Sequence, residues 1–215
     1  MIRLGAGRLD GIVALGAHCD DIAIGAGGTL LALCAARPGL RVDALVLSGG
    51  GTEREDEERA ALAAFCPGAD LGVTVLKLPD GRLPTHWEEA KNALEELRRR
   101  TDPGLVLAPR TEDAHQDHQG LAKLVPTAFR DHFTLGYEIV KWDGDLGRPS
   151  VYQPLSPELA ERKVLLLQEH YASQRHRPWY DREAFLGLAR IRGIECGARY
   201  AEAFDAKKLL LDLEG

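Results

Sequence analysis

Short unbroken apolar runs alternate along the chain with longer stretches in which apolar residues recur every three or four positions. The runs at 11–17 (GIVALGA), 41–48 (RVDALVLS), 72–78 (GVTVLKL) and 104–108 (GLVLA) read as strands buried on both faces. Between them, 23–36, 53–65 and 87–100 carry the helical period. A helix beyond Gln119 to about Asp131 and a strand-like 134–140 continue the order. A repeated strand, helix, strand pattern predicts a parallel sheet with right-handed crossovers and helices on both faces. The Gly/Pro-rich 143–149 reads as a loop. The tail reads as two helices, 156–171 and 182–192, the first opened by Ser156 as cap with Pro157 in its first turn. The expected fold is α/β: a Rossmann-like three-layer sandwich with a mostly parallel sheet and an additional C-terminal helical segment, in one domain over 1–215.

In open parallel sheets, ligands bind beyond the carboxyl ends of the strands. On that rim the reading places 18–21, 49–54, Asp80 and Gly81, 109–118 and the loop near Lys141. The junction at 16–28, GAHCDDIAIGAGG, sets His18 beside Asp20 and Asp21; PRTEDAHQDHQ, after the fourth strand, sets His115, Asp117 and His118 within four residues. Repelling carboxylates on one rim need a counter-charge, and a metal ion supplies it. Zinc takes imidazole nitrogen and carboxylate oxygen, and a catalytic site keeps three protein ligands, which His18, Asp21 and His118 would provide. Asp20, adjacent but directed elsewhere, is then free to act as general base toward water. Taken singly, each triplet has a blander reading, as a helix cap with a bystander histidine or as a solvent loop. Their joint placement at the ends of two predicted strands favours the metal. Cys19 raises a rival ligand set, although successive residues at a strand end point apart.

Composition narrows the partners. Apolar residues make up 45% and charged residues 28%, ordinary for a folded protein. The 27 basic and 33 acidic residues sum to −6, and the one compact basic run, 98–100, complements a helix C-terminus, so no nucleic-acid partner is expected. No segment approaches the roughly 20 apolar residues of a membrane helix, and the first ten residues hold no signal-like run. The expectation is a cytoplasmic protein without a membrane partner; homo-oligomerisation stays open. Cys19, Cys34, Cys66 and Cys196 lack CxxC spacing and fit free thiols, with Cys34 and Cys66 as core filler.

At AHCDDIAIGAGG and HQDH the chain resembles the PIG-L/LmbE-like family of zinc-dependent de-N-acetylases, whose signatures read AHPDD with a following GG, and HPDH. The likeness continues through Arg54, Glu57 and Ala61, LPDGRL around Asp80, YASQ at 171–174 and RGIECGARYAEAF at 192–204. The resemblance implies one zinc ion per chain, another divalent transition metal being the alternative, held by His18, Asp21 and His118. It implies Asp20 as the base and His115 as the group that stabilises the oxyanion, an imidazolium held by Asp117. Arg54 and Asp80 fall where the family contacts sugar hydroxyls. The implied reaction removes acetate from an N-acetylglucosamine conjugate, a small molecule whose aglycone the sequence leaves open. Two departures stand out: Cys19 in place of proline, and Ile22 where many members carry glutamate.

Other segments are read more blandly. Helix-on-sheet packing suits Gly25 to Gly28 better than sugar contact. GGGT, 49–52, lacks the GK[ST] of a phosphate loop. His86, His132, His170 and His176 show no ligand spacing, and the loop at 143–149 with the C-terminal helices is expected to shape an outer pocket. Two further readings remain: a metal- or sugar-binding module without turnover, and a nucleotide-binding oxidoreductase, which lacks its glycine fingerprint.

Overall fold

Five apolar runs become five parallel strands in the computed structural model, which describes residues 9–209. These are β1 (Gly11–Gly16), β2 (Arg41–Ser48), β3 (Asp70–Leu78), β4 (Leu105–Pro109) and β5 (Thr134–Tyr137). Two more strands, absent from the sequence reading, are β6 (Val151–Leu155) and β7 (Tyr200–Ala206), which pair antiparallel; β7 also runs antiparallel to β5. The seven strands lie in the order β3-β2-β1-β4-β5-β7-β6.

Helices α1 (Asp21–Ala36), α2 (Glu53–Phe65), α5 (Pro157–His170) and α6 (Arg182–Cys196) cover one face; α3 (Trp87–Arg100) and α4 (Gln116–Ala128) cover the other. Strand alternation builds both cores. Ile12, Ala14, Val42, Val46 and Leu107 point into the first, and Val13, Leu15, Leu45, Val106 and Ala108 into the second. Three helix starts are capped as their sequences specify: Ser156 Oγ accepts from Leu159 N–H, Asp181 from Ala184 N–H, and Thr52 from Arg54 N–H. Among the described residues no helix is long and apolar enough to cross a membrane.

The glycines of α1 serve close packing. A Cβ on Gly25 would lie 2.1 Å from the Tyr137 ring, and one on Gly27 would lie 2.7 Å from Phe65. Beside them a buried ion pair joins distant parts of the chain. Lys163 Nζ donates to Glu202 at 2.6 Å and to the Ile24 carbonyl, while Glu202 accepts from the Gly28 and Thr29 amides.

The sheet order turns back at β1 and β4: β2 and β3 extend one way, β4 and β5 the other. The rim between their carboxyl ends is a topological switch point, where a crevice opens because the following connections diverge to opposite faces.

Candidate metal centre and active site

The connection from β1 into α1 is tight. Asp20, the residue before the helix, has φ of 102°, the one left-handed non-glycine among the described residues. Its side chain makes no capping hydrogen bond. Its amide donates to buried Glu58 Oε2 at 2.8 Å, and its carboxylate accepts from Arg54 Nη2 at 3.0 Å. A strained backbone held from both sides is characteristic of functional turns. Asp21 folds back instead: its Oδ2 accepts from the Ala17 and His18 amides at 2.9 and 2.8 Å, which fixes the carboxylate against the strand end.

The second corner comes from the start of α4. The sequence reading begins this helix after Gln119; it begins at Gln116, so Asp117 and His118 lie in its first turn. His118 Nε2 lies 3.1 Å from His18 Nδ1 and 3.3 Å from Asp21 Oδ2, and His18 Nδ1 lies 3.5 Å from the same oxygen. Four-coordinate zinc with bonds of about 2.0–2.1 Å holds its ligand atoms about 3.3–3.4 Å apart, so the triangle fits such an ion. Both outer ring nitrogens face carboxylates. His18 Nε2 lies 3.1 Å from both Asp117 Oδ2 and Asp80 Oδ1, and His118 Nδ1 lies 3.0 Å from Asp113 Oδ2. Carboxylates on those nitrogens favour the N–H there, which leaves the lone pairs of His18 Nδ1 and His118 Nε2 facing each other and Asp21. Two lone pairs and a carboxylate at such distances repel unless a cation lies between them.

In the metal-free chain a proton plays that part. Burial opposes charge on His18, yet Asp21, Asp117 and Asp80 outweigh it and hold the ring well above 6.5. His118, likewise buried, is raised by Asp21 and Asp113 to about 9. Asp21 is buried too, but the two imidazoles hold it below the ordinary carboxylate range. Asp20 shifts the other way. Burial, incompletely offset by Arg54 and reinforced by Asp21 and Glu58, raises it to about 8.

His115 corrects the expectation of an imidazolium held by Asp117. Residues two apart on a helix do not face each other, and the Asp117 carboxylate turns to His18 and to the Gly81 and Leu83 amides. His115 instead caps α4: its Nδ1 accepts from the Asp117 amide at 3.2 Å. Burial and the neighbouring His118 and His18 lower its pKa, so it stays neutral with its proton on Nε2. Arg54 reaches Asp20 and the Cys19 carbonyl, and Asp80, its side chain 68% exposed, reaches His18. Cys19 leaves the rival ligand set, because its thiol points to the Ser48 carbonyl at 3.4 Å. Ile22 is buried in the core.

Two supporting acids, Glu58 and Asp113, are not singled out by the sequence. Glu58 is fully buried, accepts from Tyr171 Oη at 2.6 Å as well as from the Asp20 amide, and is raised by burial to about 7. Its spacing from Arg54, one helical turn, was the available signal. Asp113 supports His118 and pairs with Lys141, which Asp143 and Asp145 also surround at 3.3 and 3.1 Å. YASQ is the lock between the tail and α2: Tyr171 binds Glu58, and the Ser173 amide and hydroxyl bind Glu57. Beside the candidate metal donors opens a cavity of about 210 Å³, to which Asp143 of the predicted pocket loop and the adjacent Trp142 contribute. His86 and His132 bind Glu89 and Asp102, away from the site.

A profile of the PIG-L family, described as GlcNAc-PI de-N-acetylase, matches residues 13–129. The chain is 29% identical over 178 residues to the uncharacterized deacetylase YaiS of Escherichia coli K12, covering 77% of this chain and 92% of that protein. It superposes on N,N'-diacetylchitobiose deacetylase of Pyrococcus horikoshii with a TM-score of 0.72 at 20% identity, over 93% of this chain and 84% of that one. The TM-score is 0.75 at 17% identity to GalB, the 4-carboxy-2-hydroxymuconate hydratase of Pseudomonas putida KT2440, over 95% and 99% of the two chains.

Proposed function

Because the chain belongs to the PIG-L family of de-N-acetylases, we propose that it hydrolyses the acetamide of an N-acetylglucosamine conjugate at one zinc ion held by His18, Asp21 and His118. The observation that carries this reading is the triangle of donors at 3.1, 3.3 and 3.5 Å with carboxylates behind both imidazoles. When bound, a divalent cation supplies Lewis acidity toward the amide carbonyl and toward water.

The chain's own groups do the rest. Asp20 takes a proton from the attacking water, its carboxylate lying beside the donor triangle with a side chain that caps no helix. Arg54, 3.0 Å from Asp20, fixes the orientation of that carboxylate. His115 is a neutral Nε2–H donor on a ring that lines the cavity, suited to hold the oxygen on which charge develops. Water adds across the C–N bond, the proton held by Asp20 is available to the leaving amine, and acetate and a glucosaminyl product result. To Asp80, exposed at the rim, we assign contact with sugar hydroxyls. We assign the protein to the cytoplasm on its four free thiols.

A module that only bound metal would have no use for a strained, unliganded carboxylate beside the ligands. Asp20→Asn is therefore expected to keep stoichiometric zinc while acetate release from N-acetylglucosamine conjugates drops about 10²–10⁴-fold. Chelation should abolish release and added zinc restore it. Undiminished turnover in the variant would remove Asp20 from the mechanism.

A further inference from the structure

We propose that Arg177 and Trp179 recognise an anionic oxyacid group, a carboxylate or a phosphate, on the aglycone of the conjugate. The inference rests on the proposed amino-sugar reading and deepens it.

The cavity beside the metal donors has three cationic side chains in its wall: Arg54, Lys141 and Arg177. Two are already matched. Arg54 pairs with Asp20, and Lys141 sits among Asp113, Asp143 and Asp145. Arg177 forms no ion pair among the described residues, in a chain of net charge −6 where carboxylates are plentiful. Its Nε is buried without an acceptor, as is that of Arg54, but Arg177 has no carboxylate partner besides; the indole Nε1 of Trp179, two residues on and lining the same cavity, is likewise buried without an acceptor. Groups that only donate, removed from water and unmatched, call for an acceptor from outside.

The guanidinium is also held. Its carbon lies 5.7 Å from the centre of the Trp142 ring, and Trp142 meets Trp179 edge to face at 6.1 Å. An arginine stacked on an aromatic face keeps its in-plane edge free for bidentate contact with a carboxylate or phosphate. The segment carrying it is anchored one turn upstream, where Tyr171 and Ser173 bind Glu58 and Glu57 of α2, the helix that also bears Arg54. The donors are thus set before any ligand arrives. The acids in the same wall have partners of their own: Asp143 lies 3.3 Å from Lys141, Asp20 pairs with Arg54, and Asp80 lies 3.1 Å from His18 Nε2.

The test compares three N-acetylglucosaminides: the neutral ethyl glycoside, the carboxymethyl glycoside and the 1-phosphate. Acetate release is measured on zinc-loaded wild type, Arg177→Gln, Arg177→Lys and Trp179→Phe, and binding is measured by calorimetry on the same proteins. Wild type should favour at least one anionic glycoside through KM. Arg177→Gln should weaken that substrate about tenfold more than the ethyl glycoside, a selective penalty that Arg177→Lys partly recovers. Preference for the carboxylate or for the phosphate identifies the source; either supports the assignment. Equal penalties on all three, or no preference in wild type, overturn it. If none is hydrolysed the de-N-acetylase reading fails, and calorimetry alone decides whether anionic glycosides bind wild type more tightly than Arg177→Gln.

Discussion

A single imidazole nitrogen shows how the proposed metal centre would be tuned. His18 Nε2 faces Asp117 and Asp80, each at 3.1 Å, yet the two are unequal: Asp117 is buried and also accepts from the Gly81 and Leu83 amides, while Asp80 is exposed. The fixed one sets the ring. Asp117→Asn keeps an acceptor for one of those two amides and removes the charge behind His18, so zinc affinity should fall about 10–100-fold. Competition against a chelating dye measures it, and an unchanged affinity would mean Asp80 alone orients the ring. The convergence of His18, Asp21 and His118 was legible because their residue types sit at the ends of two recognisable strands. The partners were not. Neighbourhood in sequence joins Asp117 to His115, whereas helix geometry turns it toward a histidine 99 positions away. Glu58 escaped for a related reason: in an acidic run on a helix it reads as solvated, and only tertiary packing shows it to be fully buried.

At the scale of elements, the strands that alternate with helices were readable, since each is a near-continuous apolar run. β6 and β7 were not, because their partners are remote in sequence and their own patterns are weak. β6 holds Pro154, tolerable on an edge strand that pairs only with β7. β7 holds Glu202, a charge that looks exposed until Lys163 and the α1 amides are seen around it. The glycines of α1 were read correctly as packing, and the geometry gives that a magnitude. Gly25→Ala would force a methyl onto Tyr137, whose hydroxyl is tied to the Leu15 carbonyl at 2.6 Å and whose ring therefore cannot swing aside. A loss of about 1–3 kcal/mol is expected by chemical denaturation. Gly187→Ala provides the contrast. It lies in α6 with open space around it, so a gain of up to about 1 kcal/mol follows from helix propensity alone. Similar losses at both sites would refute the packing argument.

For the whole molecule, the switch point between β1 and β4 gathers the site, but an architecture shared with a hydratase cannot by itself choose a reaction. The charge balance at that rim has a consequence for the entire fold. Without metal, His18 and His118 gain protons on folding; the stability this contributes is fully present below 6.5 and is lost as pH rises through about 9 for His118. Glu58, raised to about 7, and Asp20, raised to about 8, slope the same way, because each binds its proton more tightly in the folded chain. The lowered carboxylates Asp21, Asp80, Asp113 and Asp117 lose their contribution only in acid, below their ordinary 3.8. Chelated protein should therefore lose thermal stability as pH rises above the ordinary 3.8 and 4.5 of Asp20 and Glu58, with the imidazoles adding to the loss from 6.5 to about 9. A bound cation displaces the protons on both imidazoles, so its contribution grows over the same range as competition from protons fades. Melting curves in chelator and in excess zinc should diverge with rising pH. Parallel curves would show that protons and zinc do not compete for one cluster, and the cation would have to be sought elsewhere.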